Sequence, residues 1–376
     1  MKKELNVGLI GHKFMGKAHS NALRDLGMFF DPGAKPVMKV ICGVENDIGE
    51  AAQRYGWESY ETDWLKVVRN PDIDIIDISS AGFTHADIAV EAARQGKHII
   101  CEKPLANTLQ EAKKMYEAVA GQGVKAAVNF IYRRVPAVVL AKKIVESGKL
   151  GRIYHFRASY QQEWAGLPGT PFLWRFDKIK AGAGSMADKG AHIIDLARFL
   201  VGEITSVAGA GDIVIKERES VGDPNTRQTV TTDDVAMFIT RFENGALGLF
   251  ETSRIAIGHK NALEFEINGS KGCIQFNLER LNELSVYFLE DDRTTQGFRN
   301  ILVTESDHAY MDKWWPAGHI IGWEHLFIHQ YYEFIRNIVE DTEPSPNFYD
   351  GLKTQQVIEC VERAAEQRKW VSIDSL

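Results

Sequence analysis

The first third of the chain sets short apolar runs between stretches whose apolar positions return at helical spacing. Leu5 to Ile10 is one such run, ending at Gly11, and Phe14 to Phe30 has the spacing of a helix. Val37 to Cys42 is a second run, followed by an Ala-rich helical stretch from Asp47 to Tyr55. Ile73 to Ser79 alternates isoleucine with aspartate, and His85 to Gln95 then reads as a helix with Gly96 in the usual stop position. Ile99 to Cys101, a helix over Leu109 to Ala120 and the strand Lys125 to Asn129 complete the series. Strands separated by helices predict parallel βαβ units with helices on both faces of a sheet.

The pattern changes after Phe130. A helix over Pro136 to Ser147 leads to the strand Arg152 to Tyr160, and a helix is expected over Asp188 to Leu200. Strands then follow with little helix between them: Val207 to Ile215, Asp234 to Glu243, Ala246 to Arg254, Ala262 to Asn268 and Gly272 to Phe276. Glu243-Asn-Gly245 is a hairpin signal, and Gly269 to Gly272 a second turn. Ser220 to Thr232, polar with Gly and Pro, is expected to be a surface loop. Glu324 to Val339 and Leu352 to Gln367 read as amphipathic helices closing the chain. The expected architecture is α/β, with a dinucleotide-binding domain of Rossmann type over residues 1–129. An α+β domain over 130–376 follows, with a large, mainly antiparallel open sheet.

Composition narrows the class. A length of 376 residues suits two domains. The net charge of −7 argues against a nucleic-acid partner, which calls for a clustered basic face. Cys42, Cys101, Cys273 and Cys360 form no CxxC pair, so free thiols in a reducing compartment are expected, without a metal site. The N-terminal residues lack the apolar core of a signal peptide, and no run has the length of a membrane span. A cytoplasmic protein is the expectation.

The turn Gly8-Leu-Ile-Gly11-His-Lys-Phe-Met-Gly16 follows a strand and opens a helix, as a dinucleotide fingerprint requires. Amides at a helix N-terminus bind a diphosphate where glycines let the backbone approach closely. Lys13 stands where the second glycine belongs, and its ammonium is expected near the diphosphate, with Gly11, Phe14 and Met15 beside it. The ribose-reading acid belongs near the end of the second strand, where Glu45 is the nearest candidate. No arginine lies beside Glu45 to take a 2′-phosphate, which favours NAD and leaves NADP as the alternative cofactor. The loop Ser79 to His85 lies near the cofactor by topology, with Ser80 as a contact and His85 in a supporting role.

His98-Ile-Ile-Cys-Glu-Lys-Pro-Leu105 is an apolar strand ending in a lysine ahead of a proline. Proline confines Lys103 to extended conformations, and the carboxyl end of such a strand is where ligands sit. Asp188 and His192, four residues apart, share one face of a helix. Histidine accepts an alcohol proton near neutral pH, and the aspartate orients the ring or passes the proton onward. A capping Asp with a structural His is the plainer alternative. Tyr132-Arg-Arg134, Tyr160-Gln-Gln-Glu-Trp164, Trp174-Arg175 and Trp314 to Glu324 mix aromatics with polar groups, a combination that suits a sugar.

With Gly11…Gly16, Glu102-Lys103-Pro104 and Asp188…His192 in this order, essentially the whole chain resembles the Gfo/Idh/MocA oxidoreductases. The resemblance implies a nucleotide domain followed by a domain whose open sheet forms a homodimer or homotetramer interface. It implies that Lys103 stabilises a developing alkoxide, that His192 is the general base and that Asp188 positions the substrate hydroxyl or the lysine. Cofactor contacts are implied for Glu102, Lys103, Trp174 and Arg175, and sugar contacts for Lys103, Tyr132, Gln162, Trp164, Asp188, His192 and Trp323. The chain departs from the pattern at Lys13 and at Ser80-Ala-Gly82, where Thr-Pro-Asn is common in the family. The implied activity is NAD-dependent dehydrogenation of a secondary alcohol on a pyranose or polyol, with sugar C3 as the family's guess. A redox-assisted glycoside hydrolase or lyase with retained NAD is the second reading, and a non-catalytic dinucleotide sensor the third.

Overall fold

Six parallel strands carry the N-terminal part of the chain in the computed structural model, which describes residues 3–375. They are β1 (Lys3–Ile10), β2 (Ala34–Cys42), β3 (Ser59–Glu61), β4 (Ile75–Ile78), β5 (His98–Cys101) and β6 (Ala126–Val128). Helices α1 (Phe14–Phe29), α2 (Ile48–Tyr55), α3 (Trp64–Arg69), α4 (His85–Arg94) and α5 (Leu109–Val119) make the crossovers. The strand order β3-β2-β1-β4-β5-β6 reverses direction between β1 and β4, the switch point at which such sheets bind ligands. Val7, Leu9, Ile76, Ile78, Ile99 and Ile100 are fully buried, as befits parallel strands covered on both faces. β3, α3 and their connections lie between the expected elements; three residues of strand are too few for alternation to show.

The second unit opens with α6 (Pro136–Glu146) and β7 (Ile153–Gln161). A short α7 (Lys178–Ala181) is followed by a π-helical turn over Met186–Gly190, which runs directly into α8 (Ala191–Leu200). The remaining strands are β8 (Ile204–Asp212), β9 (Glu217–Ser220), β10 (Asp223–Thr229), β11 (Val235–Phe242), β12 (Leu247–Ser253), β13 (Ala262–Gly269), β14 (Gly272–Asn277), β15 (Glu283–Phe288) and β16 (Arg299–Leu302). Helices α9 (His325–Glu340) and α10 (Phe348–Gln367) and the short β17 (Val371–Ser372) close the chain. Nine strands form one sheet in the order β16-β15-β14-β13-β7-β12-β11-β8-β17, antiparallel except where β12 runs parallel to β7. The expected mainly antiparallel sheet is therefore present, and Glu243-Asn-Gly245 does turn β11 into β12, with Gly245 at φ +86°.

On this sheet the alternate residues Phe156, Phe238, Phe250 and Phe265 are buried, and Phe238 stacks on Phe250 at 4.6 Å. α6 packs on β14 and β15, and α8 on β7. The intervening positions Met237, Ile239, Leu247 and Leu249 remain exposed.

One expectation is corrected. The segment Ser220 to Thr232 is not a loop: β9 and β10 pair as an antiparallel hairpin. Its residues are polar on both faces, so no hydrophobic alternation announces it. The hairpin is anchored by Arg218, which is buried and donates to the Ala165 carbonyl at 2.6 Å.

The chain divides into two compact units, neither of them continuous. The first runs to Arg134 and regains Gly322–Lys353; the second comprises Val135–Ile321 and the residues from Thr354 onward.

Candidate functional site

In the first unit, Gly11 has φ +107°, and a Cβ there would come within 2.6 Å of the Ser79 and Ser80 backbone. A Cβ on Gly16 would meet the Gly11 carbonyl oxygen at 2.0 Å. Both positions thus demand glycine, one for the turn and one for close packing of α1 against it. The start of α1 carries no side-chain cap and no acid in its first turn, so its N–H groups are available to an anion. These residues fit a dinucleotide diphosphate.

Lys13, the N-cap residue of α1, directs its ammonium to both Asp47 oxygens at 2.7 and 2.8 Å. His12 reaches the same carboxylate with Nε2 at 2.8 Å and lies 3.4 Å from Glu45 Oε2 through Nδ1. The Lys13 hydrogen bond, with His12, holds the Asp47 carboxyl down at about 2. Gly43 is what admits the imidazole, since a Cβ there would meet His12 Nδ1 at 2.1 Å. The end of β2 therefore presents two carboxylates, Glu45 and Asp47, of which Asp47 is the one bonded to both Lys13 and His12. Met15 is half-buried beside this turn in α1.

Lys103 follows β5, half-buried, and the Lys103–Pro104 peptide bond is cis. Its backbone N–H donates to Glu102 Oε2 at 3.1 Å. Glu102 Oε1 in turn accepts from Asn129 Nδ2 at 2.6 Å and lies 3.1 Å from His19 Nε2. His19 Nδ1 lies 2.8 Å from Asp77 Oδ1, and the Tyr331 hydroxyl donates to Asp77 Oδ2. All five groups beneath the lysine are buried. Burial opposes charge on His19, but Asp77 and Glu102 overcome it and raise the imidazole to about 10. Burial likewise opposes ionisation of Glu102, and His19, Lys103 and Asn129 reverse it, so its pKa is lowered.

His85, at the start of α4, spans two loops: Nδ1 is 3.2 Å from the Pro104 and Leu105 carbonyls and Nε2 is 3.1 Å from the Ser80 carbonyl. Burial lowers its pKa. The ring thus braces the segment after Lys103 against the loop after β4, where the Ser80 and Thr84 hydroxyls meet at 2.6 Å. Phe14 and Trp323 stack at 5.7 Å with ring planes 12° apart. Tyr132 lies buried in a 3₁₀ turn over Ile131–Arg134.

In the second unit, Asp188 sits on the π turn and His192 in the first turn of α8. Asp233 holds the entry to that turn, accepting from the Gly184 N–H at 2.6 Å, the Ser185 hydroxyl at 2.6 Å and the Met186 N–H at 2.9 Å. Gly184 is required there, because a Cβ would lie 1.9 Å from the Asp233 carbonyl oxygen. The buried His192 ring is 5.8 Å from that of Tyr160. Tyr160 Oη and Gln162 Nε2 both donate to Asn261 Oδ1, at 2.7 and 2.5 Å. Lys189 Nζ is 2.7 Å from Asp188 Oδ2 and lies over the rings of Tyr160 and Trp164. The structure thus gathers the expected Gln162, Trp164, Asp188 and His192 into one cluster.

Trp174 and Arg175 occupy a separate 3₁₀ turn, with the Arg175 guanidinium 4.5 Å from the Trp174 ring centre. That turn is held from behind by the buried pair Arg254–Asp234 at 2.9 Å, in which Arg254 also donates to the Arg175 carbonyl at 3.1 Å.

Residues 5–130 match the model of the oxidoreductase family with an NAD-binding Rossmann fold, and residues 138–275 the GFO/IDH/MocA C-terminal domain. This chain belongs to the GFO/IDH/MocA oxidoreductase family. It is 41% identical to levoglucosan dehydrogenase of Pseudarthrobacter phenanthrenivorans, covering 100% of this chain and 99% of the relative. It is 31% identical to scyllo-inositol 2-dehydrogenase (NAD(+)) of Bacillus subtilis over 73% of this chain and 74% of that one. Among solved structures, levoglucosan dehydrogenase in complex with NADH and levoglucosan superposes with a TM-score of 0.95 at 42% identity, over 99% and 100% of the two chains.

In this oxidoreductase the cofactor of the first unit is NAD. Neither motif nor spacing singles out Asp47, His19, Asp77, Asn129, Tyr331, Lys189 or Asn261, which the fold brings into these clusters. Asp47 stands two residues beyond Glu45 and was distinguishable only by its bonds to Lys13 and His12. His19 lies in the helix opened by the glycine turn, where a histidine on a buried face reads as core.

Proposed function

We propose that this oxidoreductase oxidises a secondary hydroxyl of a pyranose-type sugar, with levoglucosan as the leading candidate and C3 as the carbon. The observation that carries the reading is the second unit's cluster, in which Asp188 and His192 adjoin Tyr160, Gln162, Trp164 and Asn261. Amide and carboxylate groups at fixed distances beside aromatic faces suit hydroxyls and C–H faces presented together. The likeness to levoglucosan dehydrogenase over the full chain supports the same class.

In the proposed mechanism His192 accepts the proton of the reacting hydroxyl. The Lys103 ammonium, borne by the NAD-binding unit, lends positive charge where the alkoxide forms. Asp188 accepts a hydrogen bond from a substrate hydroxyl, and Gln162 and Trp164 hold the ring. Bound NAD supplies the two-electron acceptor for the hydride that leaves the same carbon. Gly11, Phe14, Met15, Ser80, Glu102, Trp174 and Arg175 are assigned to the cofactor, and Tyr132 and Trp323 to the sugar. Glu45 and Asp47 are assigned to the ribose, with Lys13 holding the second of them.

The test is NADH formation from levoglucosan, glucose, xylose and the inositols, with NADP run in parallel. Turnover of a pyranose with NAD in preference to NADP is the expected result. Turnover of inositols alone, or of nothing, overturns the sugar assignment. No observation favours the retained-cofactor elimination or the sensor.

We also propose that the enzyme is a homo-oligomer through the outer face of the nine-stranded sheet. Ile239 pairs directly with Leu249 across β11 and β12, and Met237 and Leu247 extend the same exposed apolar face, an arrangement that marks association surfaces. Leu249→Asp is expected to shift the particle mass to that of a monomer by light scattering; an unchanged mass would place the interface elsewhere. Among the described residues no helix is long and apolar enough to cross a membrane. The four buried free cysteines support a reducing, cytoplasmic setting.

A further inference from the structure

Lys189 is a fully buried ammonium that the mechanism above does not use. It is 2% exposed, yet it stands one residue from Asp188, whose side chain is 36% exposed. Neighbouring residues on a helix do not ordinarily face each other. Here the lysine stem turns back from the buried side of the π turn to place Nζ 2.7 Å from Asp188 Oδ2. Two aromatic faces hold it in that position: the Tyr160 ring centre at 5.5 Å and the Trp164 ring centre at 5.9 Å. Tyr160 is itself fixed, its hydroxyl bonded to Asn261, the same residue that receives Gln162. A lysine is kept this deep when its charge is compensated and its donors are engaged.

We propose that Lys189 is a positioning residue for sugar recognition: it occupies one oxygen of Asp188 and thereby aims the other at a hydroxyl of the substrate. The inference rests on the reading that Asp188 binds the sugar. An ammonium bound to one carboxylate oxygen keeps that carboxylate ionised, and an ionised carboxylate is acceptor only. Asp188 then takes hydrogen bonds from substrate, and the reacting proton is left to His192. The rings of Tyr160 and Trp164 gain a second role, since by cradling the ammonium they couple the aromatic wall to the polar anchor. A substrate that packs on Trp164 is thus measured from a carboxylate whose position depends on the same wall.

The experiment is a double-mutant cycle on the full-length enzyme, using Asp188→Asn, Lys189→Met and the pair, read by sugar KM, kcat and NADH affinity. Lys189→Met is expected to raise the sugar KM about tenfold or more with a smaller change in kcat, while NADH affinity and the thermal midpoint stay near wild type. In the Asp188→Asn background the same change is expected to add nothing, because its effect passes through Asp188. Additive losses would overturn the proposal, as would an unchanged KM in Lys189→Met when Asp188→Asn raises it. An unchanged KM in Asp188→Asn would instead sink the underlying reading of Asp188 as a sugar ligand. Lys189→Gln, one atom shorter but still carrying an NH2 donor, is the second variant, and partial recovery of KM is expected from it. Failure of both lysine variants to fold would make Lys189 a structural residue and reject the proposal.

Discussion

Replacing Lys103 with methionine is expected to lower kcat about 10²–10³-fold, the loss that follows removal of one preorganised donor from a developing oxyanion. Methionine keeps the unbranched stem and removes only the ammonium. NADH binding should persist, because the diphosphate is assigned to the glycine turn and the start of α1. A C–H-deuterated sugar should show a larger isotope effect in the variant than in the wild type, since bond cleavage becomes more fully rate-limiting. Steady-state kinetics with both isotopologues checks this. Wild-type kcat in Lys103→Met would remove the lysine from the chemistry altogether.

The second large effect is expected at His19. His19→Asn leaves Asp77 and Glu102 buried without their shared cation, and breaking such a pair costs about 3–5 kcal/mol. For a chain of 376 residues that corresponds to a fall in thermal midpoint of roughly 5 °C. The effect has a pH signature. Burial works against the imidazolium, but Asp77 and Glu102 raise it from 6.5 to about 10. Between those values the folded chain holds a proton that the unfolded chain has released, so stability falls as pH rises. The contribution is complete below pH 6.5 and lost as the pH passes through about 10. Glu102 acts at the other end: its pKa is lowered, so its contribution is present above the ordinary carboxylate range and lost on acidification. Denaturant unfolding of wild type and His19→Asn at several pH values should therefore show a gap that narrows from neutral to alkaline pH. A gap independent of pH would mean that His19 is neutral in the folded enzyme.

The parts of this fold that were legible in the sequence are those with a repeating physical demand. Buried parallel strands need apolar runs, and Val7 to Ile10 and Ile99 to Cys101 supply them. Tight turns need glycine, and Gly11, Gly16 and Gly245 stand where close backbone or a positive φ requires one. Lys103, Asp188 and His192 were visible because proline or helical spacing constrained them. The β9–β10 hairpin was hidden because its residues are polar on both sides. The π turn was hidden because one inserted residue leaves no mark in composition, yet it shapes the ground on which Asp188 and Lys189 meet. Lys189 reads as a solvated residue until its burial is known. The choice between Glu45 and Asp47 turns on where Lys13 and His12 reach, a matter of side-chain geometry and not of spacing.

The discontinuity of the first unit bears on how the protein is made. Tyr331 donates to Asp77 across a sequence separation of 254 residues. A nascent polypeptide leaving the ribosome therefore completes its parallel sheet long before the phenol that closes the buried acid cluster has been synthesised. During that interval Asp77 must find water or another donor, and the space later filled by α9 stays open to solvent or to a chaperone. The nucleotide-binding half, although translated first, matures only after nearly all of the other half has emerged.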